Sequence, residues 1–564
     1  MGSYTVVIDK KGQAKTYSGI YVEKNQVSSI QMDKNDKITL STDIQDVVWA
    51  VVSGDATVNP TTGEVVKNSS GTVIIKGADT NGNEVTVIIK DNTENNVAEN
   101  TDVTKAIETA NINDNVIAYI IPGENGNNKL VIKGNGNIDD VENLQNMTNA
   151  NTVTEIVIEE GIKEILNCPF INFVNTKIIT IPKSVTFLGG IGSGLEKLVT
   201  INYNAINAEA PNIVTFTGFN DAKNLQNVNI GEGVESLPWC VFYGCKFNNI
   251  VIPNSVKSIG DSAFSNCENL LYVKLGNSLR TIGYKAFAYS GIQNITIPES
   301  IEKIGQSAFA NCSNLEKVTY NAINCEYDGV EDYTYPLFYM NGNDGNDVLQ
   351  EIVIGNKVEK IPAGMFSFIN NVNKIEIPQS VKNIEQRAFL RSKGIKTLTL
   401  NNGIEKIGNK AFSEIGIKEL TLPESLKYIG QWAFYGCNDI KTLYYNSIYC
   451  STELIYYDGW DHYPFQSNDN EDVAKCYNIE NIIIGDKVEY LDSDIFRKCN
   501  ITTITIPNSV KYIAYEGGNN QSSLSSSTFF NCTFLKEIIV KKPENSIVGA
   551  PWSNVSGITV RWEP

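Results

Sequence analysis

A motif that returns every 22 or 23 residues constrains this chain more than any other feature. An apolar residue followed by Pro stands at 181, 252, 297, 377, 422 and 506, and an apolar residue followed by Gly at 230, 275, 354 and 484. Adding Ile158, Tyr203, Tyr320, Leu400, Tyr445 and Val540 makes sixteen anchors. Successive gaps are 23, 22, 27, 22, 23, 22, 23, 34, 23, 23, 22, 23, 39, 22 and 34 residues, so eleven of fifteen are 22 or 23. Four residues after an anchor comes an aliphatic residue such as Val185, Val256, Ile301 or Val381. Seven after comes another, as in Leu188, Ile259, Ile304 and Ile384, and twelve after comes Phe, as in Phe264, Phe287, Phe309 and Phe389.

One such unit cannot bury its own apolar face, whereas a stack of identical units can. Each unit ends in a short alternating run such as Leu270 to Leu275, expected to be a parallel strand that the following Pro or Gly terminates. The Ala-Phe pair reads as the return side, one helical turn or less, with Phe as the large core filler. Residues 150–545 are therefore expected to form one continuous right-handed solenoid of about 16 coils, with a parallel sheet along one side. At about 4.8 Å between neighbouring strands the stack would be on the order of 75 Å long.

A longer period lies over the first. Tyr-Asn-Ala-Ile occurs at 203–206 and 320–323 and Tyr-Asn-Ser-Ile at 445–448, separated by 117 and 125 residues, five coils each. Duplication of a five-coil block explains this most simply. The Tyr-Asn coils are also enlarged, so their extra loops should leave one edge at five-coil intervals.

Residues 1–90 read differently, as alternating strands with turn signals, including Asn81-Gly82 between TVIIK and VTVIIK. A small β-sandwich is expected there. Residues 91–149 read as a linker followed by a solenoid cap, in which 116–121 and 129–133 form a hairpin around Asn125-Gly126. Residues 546–564, with Trp552 and Trp562, should cap the other end with a strand.

Composition removes several function classes. Forty-six Lys and Arg against sixty-four Asp and Glu leave a net charge of −18, which would repel a phosphate backbone, so no nucleic acid is expected. No apolar run reaches 18 residues, so no membrane span is expected. The single histidine, His462, and the absence of a C-x-x-C motif argue against triad chemistry and zinc sites, so neither an enzyme nor a cofactor is expected. Eleven cysteines, an odd number, do not suggest a disulfide framework. Six of them (Cys245, Cys267, Cys312, Cys437, Cys499 and Cys532) follow the repeat Phe by three residues and read as buried, free, small apolar fillers.

The unit IPNSVKSIGDSAFSNC at 252–267 closely resembles the BspA-like class of bacterial leucine-rich repeats, and LVIKGNG at 130–136 resembles the segment that often precedes them. Trp49 to Val65, with WAVVSGDATV and then GEV, resembles the bacterial Ig-like group 2 domain. These resemblances imply a secreted or cell-surface protein of a host-associated bacterium, monomeric, with Met1-Gly2-Ser3 read as the scar of a removed signal peptide. The family's studied members act in adhesion, which implies an extracellular protein or glycan as partner, recognised through the solenoid face and the loops. The alternative is a structural stalk with no ligand of its own. The residues that would do the recognising are the aromatics of the enlarged coils at 324–348 and 449–476: Tyr327, Tyr333, Tyr335 and Tyr339, then Tyr457, Trp460, His462 and Tyr463. Long loops on rigid scaffolds often carry function, and Tyr and Trp give large contact area at low entropic cost.

Overall fold

A computed structural model describes residues 16–22, 27–31, 37–42, 47–53, 56–68, 73–78, 84–90 and 103–564, excepting 124–125, 212–217, 330–335, 341–344, 453–463, 466–477, 493–494, 514–527, 530–531, 545 and 548–556. Eight N-terminal strands form two four-stranded sheets. One holds Thr16–Val22, Lys37–Thr42, Glu64–Lys67 and Ala56–Val58, and the other Val27–Gln31, Glu84–Lys90, Val73–Ala78 and Val48–Ser53. Alternation sends Ile38, Leu40, Trp49, Val65, Ile75, Val85 and Val87 inward to a separate apolar core. This arrangement is compatible with the expected Ig-like sandwich. Val73–Ala78 and Glu84–Lys90 pair antiparallel as the hairpin signal requires, although Asn81-Gly82 itself lies outside the described residues.

The cap is larger than the expected hairpin. Val116–Ile121 pairs antiparallel with Asn128–Gly134 on one side and with Glu108–Asn113 on the other. Asn128–Gly134 then pairs in parallel with Val153–Ile158, converting an antiparallel cap into the parallel ladder of the solenoid. Leu144, on the short helix Glu142–Gln145, is fully buried and closes the end of the core.

Beyond the cap the chain is a parallel β-solenoid of about 16 turns with little helix. Every anchor named above ends a strand or directly follows one, from Ile158 to Val540. Thr559–Trp562 adds one further rung, pairing in parallel with Glu537–Val540. Each coil has three sides, and each side has its own hydrogen-bond ladder. The long strands form the first, for example Asn294–Ile297 beside Lys317–Tyr320 beside Glu351–Ile354. Two-residue strands form the second, with Ile259, Ile282, Ile304 and Tyr327 in register.

The third side corrects the expectation of a helical turn. The residues two before and two after the repeat Phe stand in the left-handed region: Ser262 and Asn266 (φ 54° and 59°) around Phe264, Lys285 and Tyr289 (51° and 59°) around Phe287. This alternation turns every second N–H along the stack, so Ser262, Phe264 and Asn266 donate to the carbonyls of Tyr284, Ala286 and Ala288 at 2.7–2.8 Å. A helical turn would spend those donors within its own coil; stacking gives them partners in the next.

Inside, the repeat phenylalanines form one file of rings. From Phe219 through Phe242, Phe264, Phe287, Phe309, Phe338, Phe366, Phe389, Phe412 and Phe434 to Phe465, neighbouring centroids lie 5.1–6.1 Å apart with stacked planes. Phe338 and Phe465, which sequence places in the enlarged loops, are the ladder members of those coils.

The cysteines three residues further on are buried, as expected, but do more than fill space. The thiols of Cys245, Cys267, Cys312, Cys437 and Cys532 donate to the carbonyls of Phe219, Phe242, Phe287, Phe412 and Phe496 at 3.1–3.4 Å. Ser392 does the same for Phe366 at 2.8 Å, which shows why this position accepts Cys or Ser. None of the ten described cysteines is in a disulfide. Burial lifts the thiols of Cys267 and Cys437 to about 12, and only a thiolate reacts readily. Thiol titration of the native protein is therefore expected to reach Cys168, which is half-buried, and at most Cys476, which lies outside the described residues. Raising the pH from about 8 to about 10 should leave Cys267 and Cys437 unreactive, since both thiols remain protonated throughout that range. All eleven should react after denaturation. Rapid native reaction of six or more would contradict the buried ladder.

The five-coil period also has a physical cause. The rings of Tyr203, Tyr320 and Tyr445 are fully buried and meet Phe242, Phe366 and Phe496 edge-on at 5.3–5.9 Å. The adjoining Asn204, Asn321 and Asn446 pack against Gly231, Gly355 and Gly485 of the next coil. A Cβ on any of those glycines would lie 2.3–2.6 Å from the Asn Oδ1. A Tyr-Asn coil must therefore be followed by a Gly coil.

Candidate binding surface

Short strands expose one residue per coil, six positions after the anchor. Along most of the solenoid that residue is small or charged: Ser236, Ser258, Thr281, Lys303, Glu326, Lys360, Asn383, Lys406. Near the C-terminal end it becomes Tyr428, Ser451, Tyr490 and Tyr512 in successive coils. Tyr428 pairs with Ser451 and Tyr490 with Tyr512, while Tyr490 N–H donates to Ile448 in the coil between. Tyr428 and Tyr512 are 52 % and 51 % exposed.

Tyr449 fills the place that Ser451 leaves in this file. In the Tyr-Asn coils the inward position after the anchor moves by one residue, so Cys325 and Cys450 are buried where other coils bury the preceding residue. A one-residue shift turns the neighbouring side chain to the opposite face. Tyr449 is thus 58 % exposed, and its ring stacks on Tyr490 with centroids 4.4 Å apart and planes within 16°. Tyr490 is held from below: its hydroxyl donates to Asp492 Oδ1 at 2.8 Å. The other oxygen of that buried carboxylate accepts from the N–H and the hydroxyl of Thr452, at the root of the second enlarged loop. Burial, and then the Asp492 carboxylate, push the Tyr490 phenol well above its ordinary value, so it stays protonated and donates.

Charges beside this file neutralise each other. Five positions after the anchor, Glu405 pairs with Lys427 at 2.8 Å and Glu489 with Lys511 at 2.7 Å. Lys487 pairs with Glu424 at 2.9 Å.

The aromatic loop residues expected from sequence divide into two groups. Tyr327 is only 5 % exposed, in register with Ile304, so its ring belongs to the core and is not available for contact, a correction to the expectation. It stands seven residues after its anchor, in the inward row, a signal that the regular spacing already carried. Tyr339 is half-buried, and its carbonyl continues the return ladder by accepting from Asn311. Tyr333, Tyr335, Tyr457, Trp460, His462 and Tyr463 lie outside the described residues. Sequence reasoning missed Tyr428, Tyr490 and Tyr512, although comparing the sixth position across coils would have found them. A polar cleft at the cap, lined by Asn113, Asp114, Lys133, Glu159 and Glu160 among others, holds one perturbed group: burial raises the Glu159 carboxyl. Among the described residues no group of three His, Cys, Asp or Glu could hold a metal ion, and no helix is long and apolar enough to cross a membrane.

The sequence matches the family described as BspA type leucine rich repeat region in six copies, over residues 145–237, 209–316, 345–457 and 473–558. The chain belongs to the BspA-type leucine-rich repeat family. The intervals between these matches, 317–344 and 458–472, overlap the enlarged coils at 324–348 and 449–476. The BspA-type match does not reach the N-terminal sheets.

Solved structures with similar folds include a leucine-rich repeat protein from Bacteroides ovatus (18% identity, 80% of this chain and 99% of that one, TM-score 0.35). Another is a leucine rich cell surface protein from Faecalibacterium prausnitzii (16% identity, 80% and 97%, TM-score 0.26). A third is the pneumococcal vaccine antigen PcpA (16% identity, 81% and 98%, TM-score 0.30). No curated protein matches this chain.

Proposed function

We propose that this protein is a secreted or cell-surface binding module of a bacterium, using one flank of a rigid solenoid and the loops beside it to hold an extracellular protein or glycan. The observation that carries this reading is the tyrosine file, with Tyr428, Tyr449 and Tyr512 exposed and Tyr490 half-buried between them, beside the root of an enlarged coil. Exposed aromatic side chains grouped on a rigid support are what recognition surfaces use. Membership of the BspA-type family supports the same reading, and residues 1–90 would serve as a spacer. The test is a screen of the full chain against immobilised extracellular-matrix proteins and glycans, repeated with Tyr428→Ala and Tyr449→Ala together, both more than half exposed. Binding is expected to fall at least tenfold while the melting temperature moves by less than about 2 °C, as for exposed residues. A chain that binds nothing in the screen is a stalk, and the proposal then fails.

A further inference from the structure

We infer that the tyrosine file on the short ladder is a stacking platform for an uncharged oligosaccharide, an assignment that rests on the binding reading above and names its ligand class.

Its dimensions come first. Tyr428, Ser451, Tyr490 and Tyr512 occupy four successive coils, and Tyr449 supplies the ring in the coil where Ser451 is small. At about 4.8 Å per coil the file is roughly 14 Å long, matching a chain of a few sugar rings. A sugar ring is amphipathic: its C–H face is apolar and its rim carries hydroxyls. It therefore buries one face on an aromatic ring without needing a pocket, whereas a protein hot spot usually inserts an anchor side chain into one. Tyr428, Tyr449 and Tyr512 are the exposed rings of the file, while Tyr490, with one face under Tyr449 and its hydroxyl on Asp492, is half-buried and serves as their support.

Charge narrows the class further. Lys427, Glu489 and Lys511 each directly precede a tyrosine of the file, and each is engaged by a carboxylate or ammonium of a neighbouring coil. A charged polymer would have to compete with these pairs, whereas an uncharged one leaves them intact. Rigidity is the third element. Tyr490 is fixed from below by the buried Asp492 and from the side by Tyr449, so part of the ordering cost of binding is already met in the free protein. Asp492 occupies the place where the Tyr428 coil carries Gly430, so the latch holds Tyr490 and not Tyr428.

The test uses the full chain and native affinity electrophoresis through gels holding, in turn, hydroxyethyl β-1,4-glucan, β-1,3-glucan, xyloglucan, α-mannan and, as the charged comparison, polygalacturonate. Retardation by at least one neutral polymer is expected, and none by polygalacturonate. The variants Tyr428→Ser and Tyr512→Thr install residues that equivalent coils already carry, so the stack should fold as before. Each is expected to weaken the interaction at least fivefold and both together at least thirtyfold, while Tyr512→Phe keeps it within threefold. Asp492→Asn, which loosens Tyr490, should weaken it without removing it. No retardation by any neutral polymer overturns the inference, as does retardation that the double variant leaves unchanged, or retention by the acidic polymer alone. If the chain binds a matrix protein in the earlier screen yet none of these polymers, this inference fails and the binding reading stands.

Discussion

Phe287→Ala is expected to destabilise the solenoid by about 4 kcal/mol, the middle of the range for deleting a buried aromatic ring. Phe264 and Phe309 flank its ring at 5.1 and 5.4 Å, with planes within 8° and 1°. Core substitutions cost least where the surroundings can collapse into the vacated space. Here they cannot, because the separation of the coils is set by backbone ladders on all three sides, and a ring-sized void has no direction in which to close. Urea unfolding followed by far-ultraviolet circular dichroism measures the loss. Because each coil touches only its neighbours, weakening one rung should also split a single transition into two, with the segments on either side of 287 unfolding separately. A cost under about 1 kcal/mol would mean that the ring file is not what holds the coils in register.

Gly305→Ala is expected to cost on the order of 3 kcal/mol for the opposite reason, excess volume. A Cβ there would lie 2.5 Å from the Tyr284 backbone nitrogen and 2.6 Å from the Gly283 carbonyl carbon. Both belong to the coil before, so no side chain can move aside and the two coils must part. The same clash exists at Gly283, Gly408 and Gly430. Gly233→Ala is the control, since no heavy atom lies within 4 Å of its added Cβ, and it should stay within about 0.5 kcal/mol of the parent. Equal losses at the two sites would show that glycine matters here for backbone freedom rather than for the close approach of coils.

How much of this was legible in the sequence depends on whether a position repeats. Rows of aliphatic residues and Phe are visible because each coil must present the same face to the next, so all sixteen anchors end a strand or directly follow one. The left-handed residues were not, because Ser262, Lys285, Arg387 and Trp432 share no side-chain character; stacking imposes their conformation, and propensity does not. Tyr327 was misjudged because its loop was read as a unit. Its place seven after the anchor puts it in the inward row, and the first turn of the insertion is still ladder. The tyrosine file was missed for the reverse reason: an exposed position has no packing constraint to make it regular, and only comparing its occupants across coils separates Tyr428 and Tyr512 from Ser258 and Lys303. Tyr449 needed the structure itself, since a one-residue shift within its coil decides which way it points.

The three ladders have a mechanical consequence. All of their inter-coil hydrogen bonds run along the stack, so a pull applied between its two ends loads the rungs in series, and the weakest yields alone while the rest hold. Each coil that peels away exchanges about 4.8 Å of stack for 22 or 23 residues of extended chain, a gain of roughly 70 Å per event. A solenoid of this kind tethered in flow would lengthen stepwise under a sharp load and spare whatever it holds, behaving as a shock absorber whose stroke is counted in coils.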